Sequence, residues 1–276
     1  MLSAVLLAAS IALTDDLGRE VKLDRPAQRI VTLAPFLTEL AFAAGVGERV
    51  VGVSAYSDYP AGARSLPQVS SSAGFSLEGI AALEPDVVLV WRDSMRADEV
   101  ERIERFSAVY VASARTLDDI PRALDAIGRL AGVDVTPVAR AYRVRLDELR
   151  AKYSQRRKLG VLLEIGHRPL MTIAGAHYMN EALEICGARN LFADLPGVAP
   201  IVPWEQVYAV DPEVVVGAGS GKGRADFEAS WRERGVLSAV KGGRLVYLEP
   251  DTFLRPSLRL VQGITQLCEG LESARR

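Results

Sequence analysis

With 276 residues, 49% hydrophobic and 25% charged, the chain has the make-up of a globular protein, large enough for one big domain or two medium ones. Its formal net charge is -2 at pH 7 and no Lys/Arg cluster is interleaved with aromatics, which argues against a nucleic-acid partner. His167 and His177 are the only histidines and stand in no metal-ligand spacing with acids or cysteines, so they read as surface residues and no metal site is expected.

In chain order, residues 1–14 (MLSAVLLAASIALT) form an apolar run too short to span a bilayer, closed by small residues and followed by Asp15-Asp16. This reads as the apolar part of a secretory signal cut near Ala12 or Thr14; no Lys or Arg precedes it, and a buried strand or helix is the competing reading. No cysteine lies nearby to take a lipid, so the expected mature chain is periplasmic, soluble and not lipid-anchored. The two cysteines, Cys186 and Cys268, are an even pair that an oxidising compartment invites to bond, two buried thiols being the alternative.

Pattern then predicts a strand at 29–33, a helix at 38–44 stopped by Gly45, strands at 50–54 and 86–91, a polar amphipathic helix at 97–106, a strand at 108–112 and a helix at 117–131 stopped by Gly132. Strand and helix alternate, which argues a parallel sheet covered on both faces. Thr136 and Pro137 open a long helix over 136–157, in which Val138, Tyr142, Leu146, Leu149 and Tyr153 lay one apolar stripe. It would be roughly 30 Å long. Strands at 159–165, 213–216 and 244–248 and helices at 178–185 and 257–271 follow, with a proline-rich ordered loop at 193–203.

Two stretches align without a gap. Residues 77–90 and 204–217 share an apolar residue and Glu, a helical turn, acid-Pro-acid and a β-branched strand, at one offset that carries Glu78 to Glu205 and Pro85 to Pro212. One supersecondary unit used twice implies an α/β fold of two similar lobes with parallel-type sheets, 23–130 and 158–271, joined by the single helix 136–157. Glu78 and Glu205 fall in first helical turns, where the helix dipole favours a carboxylate.

Catalytic motifs fail on spacing. The segment from Gly217 to Gly223 follows a strand, but a phosphate loop needs glycine where Val216 stands and Ser or Thr where Gly223 stands. Ser220 lacks the flanking glycines of a nucleophile elbow, which Ala218 and Lys222 replace, so the segment reads as a flexible turn. No catalytic residues and no cofactor are assigned, and an exported hydrolase built on Asp194 and His167 remains a remote alternative.

Arg29-Ile30-Val31-Thr32-Leu33-Ala34-Pro35 with Thr38-Glu39-Leu40, the run from Gly52 to Pro60, and Leu77-Glu78 through Trp91-Arg92 resemble the cobalamin-binding members of the helical-backbone class of periplasmic substrate-binding proteins, which feed ABC importers. The resemblance implies a monomeric, non-enzymatic carrier of two lobes bridged by one helix, with a cobalamin-like ligand in the cleft between them. Ferric siderophores and haem are the other cargoes of the class. It implies Tyr56 and Trp91 as pocket aromatics, Asp251 and Arg255 as polar pocket positions, and a Cys186–Cys268 disulfide. Arg92, Arg168 and Arg255 would equally suit the anionic oxygens of a siderophore. It further implies that Glu78 and Glu205, one per lobe, dock onto arginines of the inner-membrane permease. The chain departs from the family pattern at Ala73, Met171 and Ala199, where aromatics are expected; Phe36, Phe75, Trp204 and Phe253 are the candidates to refill that space.

Overall fold

β-Branched runs alternating with amphipathic helices build one open parallel sheet in each of the two units into which the chain divides, Met1–Ala114 with Asp118–Ala141, and Arg115–Leu117 with Tyr142–Arg276. The structure, a computed structural model, describes residues 10–71, 74–218 and 223–276.

The first unit contains β1 (Ile11–Thr14), β2 (Glu20–Leu23), β3 (Ile30–Thr32), α1 (Pro35–Ala43), β4 (Val50–Val53), the short pair β5 (Ser70–Ser71) and β6 (Gly74–Phe75), α2 (Leu77–Ala82), β7 (Val87–Trp91), α3 (Ala97–Glu104), β8 (Ala108–Ala112) and α4 (Asp119–Ala131). The parallel sheet runs β4-β3-β7-β8. Val87 to Val90 are buried on both faces of β7, as an unbroken apolar run requires. Val31, Val88, Val90 and Val111 of the strands pack with Ile80 and Ile103 of the helices as one core cluster.

The antiparallel hairpin β1–β2 lies on the outer edge of β8. The Asp16 amide donates to the Val111 carbonyl at 3.0 Å, the Asp16 carboxylate accepts from the Ser113 amide, and Arg129 donates to the Ala12 carbonyl at 3.0 Å. Ile11 to Thr14 therefore form a paired strand with Leu13 buried, on a stretch expected to be the end of a secretory signal. A cut at Ala12 or Thr14 would divide or remove it. Met1 to Ala9, the rest of that expected signal, lie outside the described residues.

α5 (Thr136–Tyr153) carries the division between the units, which falls after Ala141. Its first amide is held by Asp134, whose carboxylate accepts from the Thr136 N–H at 2.9 Å, so the cap is this acid rather than the Thr136 hydroxyl. The Thr136 side chain and amide hold the Asp134 carboxyl below its ordinary range. Tyr142, Leu146 and Tyr153 are buried, Val138 and Leu149 partly so. The helix stops at Tyr153, before the expected residue 157, and beyond it the Arg157 carbonyl accepts from Arg275 at 3.0 Å and the Arg157 guanidinium donates to Glu213 at 2.7 Å.

The second unit contains β9 (Leu159–Glu164), β10 (Gly166–His167), β11 (Leu170–Met171), α6 (Tyr178–Ile185), β12 (Ala188–Asn190), α7 (Trp204–Val210), β13 (Val214–Ala218), α8 (Arg224–Arg232), α9 (Ser238–Lys241), β14 (Leu245–Leu248), α10 (Pro250–Phe253) and α11 (Leu260–Ala274). Its parallel sheet runs β12-β9-β13-β14, the same second-first-third-fourth order as in the first unit. The repeat is real at the level of structure: one offset carries α2 to α7 and β7 to β13, first residue to first residue. Cys186, after α6, and Cys268, in α11, form a buried disulfide. Residues 219–222, the core of the glycine-rich segment after β13, lie outside the described residues.

Candidate functional site

In an open parallel sheet the loops leaving the carboxyl ends of the strands collect at one edge, and a crevice opens where the strand order reverses. In the first unit the reversal falls between β3 and β7. Phe36 follows β3 and Trp91 ends β7, and their rings meet edge to face across that point, centroids 6.1 Å apart at 87°. The Trp91 side chain is half-buried, yet its indole N–H is buried and has no acceptor among the described residues. An unmet buried donor costs about 1–3 kcal/mol, and a ligand oxygen would relieve it. Arg92 follows, its amide spent on the Ala112 carbonyl at 2.9 Å, its guanidinium exposed and without a hydrogen bond or ion pair among the described residues.

Tyr56 leaves the carboxyl end of β4 with a left-handed backbone, φ 64, and 81% of its surface exposed. A bulky L-residue in that region is an outlier. Its neighbours hold it there: the Ala55 amide donates to Ser70 Oγ at 2.8 Å, the Ser57 amide to the Ser54 carbonyl at 3.3 Å, and a buried hydroxyl chain joins Thr32, Thr38, Ser57 and Ser54 at 2.7 to 3.1 Å. A large aromatic ring is thus displayed at the sheet edge by a rigid base.

In the second unit the reversal lies between β9 and β13. Glu164 ends β9 fully buried, and its carboxylate accepts the indole N–H of Trp231 and faces His167 Nδ1 at 3.2 Å. The His167 ring sits against Trp204 and Trp231, centroids 5.9 and 6.1 Å away, and Arg234 stacks over Trp204 at 4.3 Å. His167 is therefore packed, not the surface residue that spacing suggested. After β14, α10 carries Asp251, whose exposed carboxylate pairs with the largely buried Arg255 guanidinium at 3.0 Å. Phe253 is fully buried, so it fills the core instead of refilling a pocket; Arg168 is exposed, and Ala73 lies outside the described residues.

The expected residues thus gather as Tyr56, Trp91 and Arg92 at the carboxyl edge of one sheet, and Asp251 with Arg255 at that of the other. Glu78 and Glu205 are both exposed on the second residue of their helices, and neither has an ion pair or side-chain hydrogen bond among the described residues. The cluster of Glu164, His167 and Trp231 was not anticipated. Its one signal in sequence is a carboxylate closing the otherwise uncharged strand Leu159–Glu164, three residues before a histidine. Among the described residues no group of three or more His, Cys, Asp and Glu could hold a metal ion, and no helix is long and apolar enough to cross a membrane.

Residues 30–252 match the family model described as periplasmic binding protein. The vitamin B12-binding protein of Vibrio parahaemolyticus is 32% identical over 256 residues, spanning 92% of this chain and 92% of the relative. That of Pectobacterium carotovorum is 33% identical over 249 residues, 88% of each. Among solved structures, the periplasmic vitamin B12 binding protein of Vibrio cholerae superimposes with a TM-score of 0.81 at 31% identity, covering 91% of this chain and 99% of that one. A periplasmic heme binding protein from Pseudomonas aeruginosa gives a TM-score of 0.75 at 29% identity, covering 88% and 91%.

Proposed function

The chain belongs to the periplasmic binding protein family, and from that premise we propose that it captures cobalamin or a related corrinoid in the periplasm and passes it to an inner-membrane ABC importer. The observation that carries this reading is similarity to vitamin B12-binding relatives along nearly the whole of both chains. Physical features support it. A broad, rigid macrocycle gains most from fixed aromatic area with a few polar groups to orient it. Tyr56 supplies such area on a braced turn, and Trp91 offers an unmet indole N–H to an acceptor on the ligand. Arg92, Asp251 and Arg255 suit the polar periphery of such a ligand. In this reading the chain acts as a monomeric binding protein and not as an enzyme.

Delivery rests on Glu78 and Glu205. One exposed carboxylate, unpaired among the described residues, at the same place in each repeat suits a two-fold symmetric permease presenting arginines, where charge fixes orientation more than it adds affinity.

Calorimetric titration with cyanocobalamin tests the reading. Saturable one-to-one binding in the micromolar range or tighter is expected; no heat and no thermal stabilisation would overturn the corrinoid assignment. The exposed guanidinia of Arg92 and Arg168, with the haem-binding structural neighbour, favour a second reading as a haem or ferric-siderophore carrier, for which haemin is the matching titrant.

A further inference from the structure

The carboxyl end of β9 holds a group that corrinoid capture by aromatic contact leaves unused. Glu164 is fully buried, with one oxygen bound to the Trp231 indole N–H and the other 3.2 Å from His167 Nδ1. An ionised carboxylate only accepts hydrogen bonds, so the hydrogen of that contact lies on Nδ1. In the tautomer that donates from Nδ1 to the carboxylate, the ring's lone pair lies on Nε2. Two tryptophan rings, Trp204 and Trp231, fix the plane of the imidazole, and the side chain keeps 16% of its surface open. Nε2 has no hydrogen-bond partner among the described residues.

A carboxylate behind one ring nitrogen and a free lone pair on the other is how proteins aim a histidine at a metal. Among the described residues no further ligands converge there to make a metal site of protein groups alone. A metal for His167 would have to arrive inside the ligand.

From this geometry we propose that Nε2 of His167 coordinates the cobalt of a bound corrinoid whose upper axial ligand is exchangeable, a proposal that rests on the cobalamin reading above. With aquocobalamin the bond from cobalt to water breaks and water leaves with its own electron pair. Nε2 donates its lone pair into the vacated position and the cobalt–nitrogen bond forms. Cobalt remains cobalt(III), and the imidazole proton stays on Nδ1 against Glu164. Cyanide holds cobalt too tightly to be displaced by an imidazole, so cyanocobalamin binds without this bond. The site therefore sorts corrinoids by their upper ligand, and Glu164 is the positioning residue that keeps the imidazole in the coordinating tautomer.

The full chain is titrated with aquocobalamin and with cyanocobalamin, following heat and the visible absorption of the corrin. Expected is a change of the aquocobalamin spectrum to that of an imidazole adduct, none for cyanocobalamin, and tighter binding of the aquo form. His167→Gln, which keeps the bulk between the tryptophans, removes both the spectral change and the preference. Glu164→Gln leaves the imidazole in place but lowers the preference, by roughly the 10–100-fold typical of losing the partner behind a metal-bound histidine. Thermal unfolding of each variant, and its ratio of the two affinities, separate loss of the bond from loss of the fold. Both corrinoids bound with an unaltered aquocobalamin spectrum would overturn the proposal, as would a spectral change that survives in His167→Gln. Failure of both to bind the unaltered chain would overturn the cobalamin reading and this proposal with it.

Discussion

Glu84 and Asp211 share one backbone conformation, φ 44 and φ 46, at matching points of the two repeats. Each precedes a proline and turns the chain from a helix into a buried strand, from α2 into β7 and from α7 into β13. A following proline disfavours the right-handed helical region, and the left-handed region costs an L-residue roughly 1–2 kcal/mol. Asp211 offsets that cost, since its carboxylate accepts from both the amide and the hydroxyl of Ser238 at 2.7 and 2.5 Å. Glu84→Gly should therefore raise the free energy of unfolding by about 0.5–1 kcal/mol. Asp211→Gly, which also strips the Ser238 contacts, should give no gain. Equilibrium urea unfolding of both variants checks the pair, and a loss of stability in Glu84→Gly would refute it.

Two residues on, the repeats share a second device. Asp86 accepts from the amides of Gln28 and Arg29 at 2.7 and 2.9 Å, and Glu213 from the Gly160 amide at 3.0 Å and the Arg157 guanidinium at 2.7 Å, so each acid clamps the start of the neighbouring strand. Partial burial works against the charge of Glu213, but Arg157 and the Gly160 amide outweigh it and hold the carboxyl below its ordinary range. A carboxyl depressed in the folded state adds stability above its unfolded pKa of about 4.3 and loses it as the pH falls through the folded value. Glu213→Gln should be less stable than the unaltered chain at pH 7, with the gap closing in acid. Unfolding curves at neutral and acid pH measure it; a gap that does not shrink would rule out the ionic origin.

Tyr56 gives a prediction in which stability and binding move in opposite directions. Its exposed ring loses little packing on truncation and its backbone favours glycine. Tyr56→Gly should leave the melting temperature unchanged or raised while weakening cyanocobalamin binding by roughly tenfold or more, as removal of an aromatic anchor does. Undiminished affinity would remove Tyr56 from the binding surface.

Charge reversal at Glu78 and Glu205 together should abolish uptake in cells and leave the calorimetric titration with cyanocobalamin unaltered. Each residue is exposed and unpaired among the described residues, so the fold should tolerate the change. Uptake that survives the double reversal would exclude a docking role.

In the reading of the chain as a periplasmic carrier, its mature first residue should be Ile11 or an earlier one, because a later start would break into β1. Intact mass of the form recovered from the periplasm reads the position directly, and a start after Ile11 would contradict it.

The repeat was legible in sequence because its signals are local. A Glu in a first turn, an acid-Pro-acid stop and a β-branched run each act within a few residues, and the parallel sheets of the α/β fold follow from their alternation. β8 and α6 fall where the pattern placed them, residue for residue. What failed depended on distant partners. Residues 11–14 are apolar enough for the end of a secretory signal, and nothing local showed that they pair with β2 or that Asp16 ties the hairpin to β8, about a hundred residues on. The last turn expected of the long helix is instead a connection in which Arg157 is held by Glu213 and Arg275. Likewise His167 reads as an isolated histidine in sequence, since the tryptophan that orders Glu164 lies on another element, 67 residues away.

The hairpin β1–β2 pairs four residues with four, but the bond that the Ser113 amide donates to the Asp16 carboxylate spans 97 residues. Closing a contact of such separation costs more loop entropy than the neighbouring β7–β8 pairing, and until it forms the outer edge of β8 is bare. An open strand edge is a template for another chain. The hairpin covers that edge, so its removal should appear first as lost yield and aggregation, before any change in the affinity of the protein that does fold.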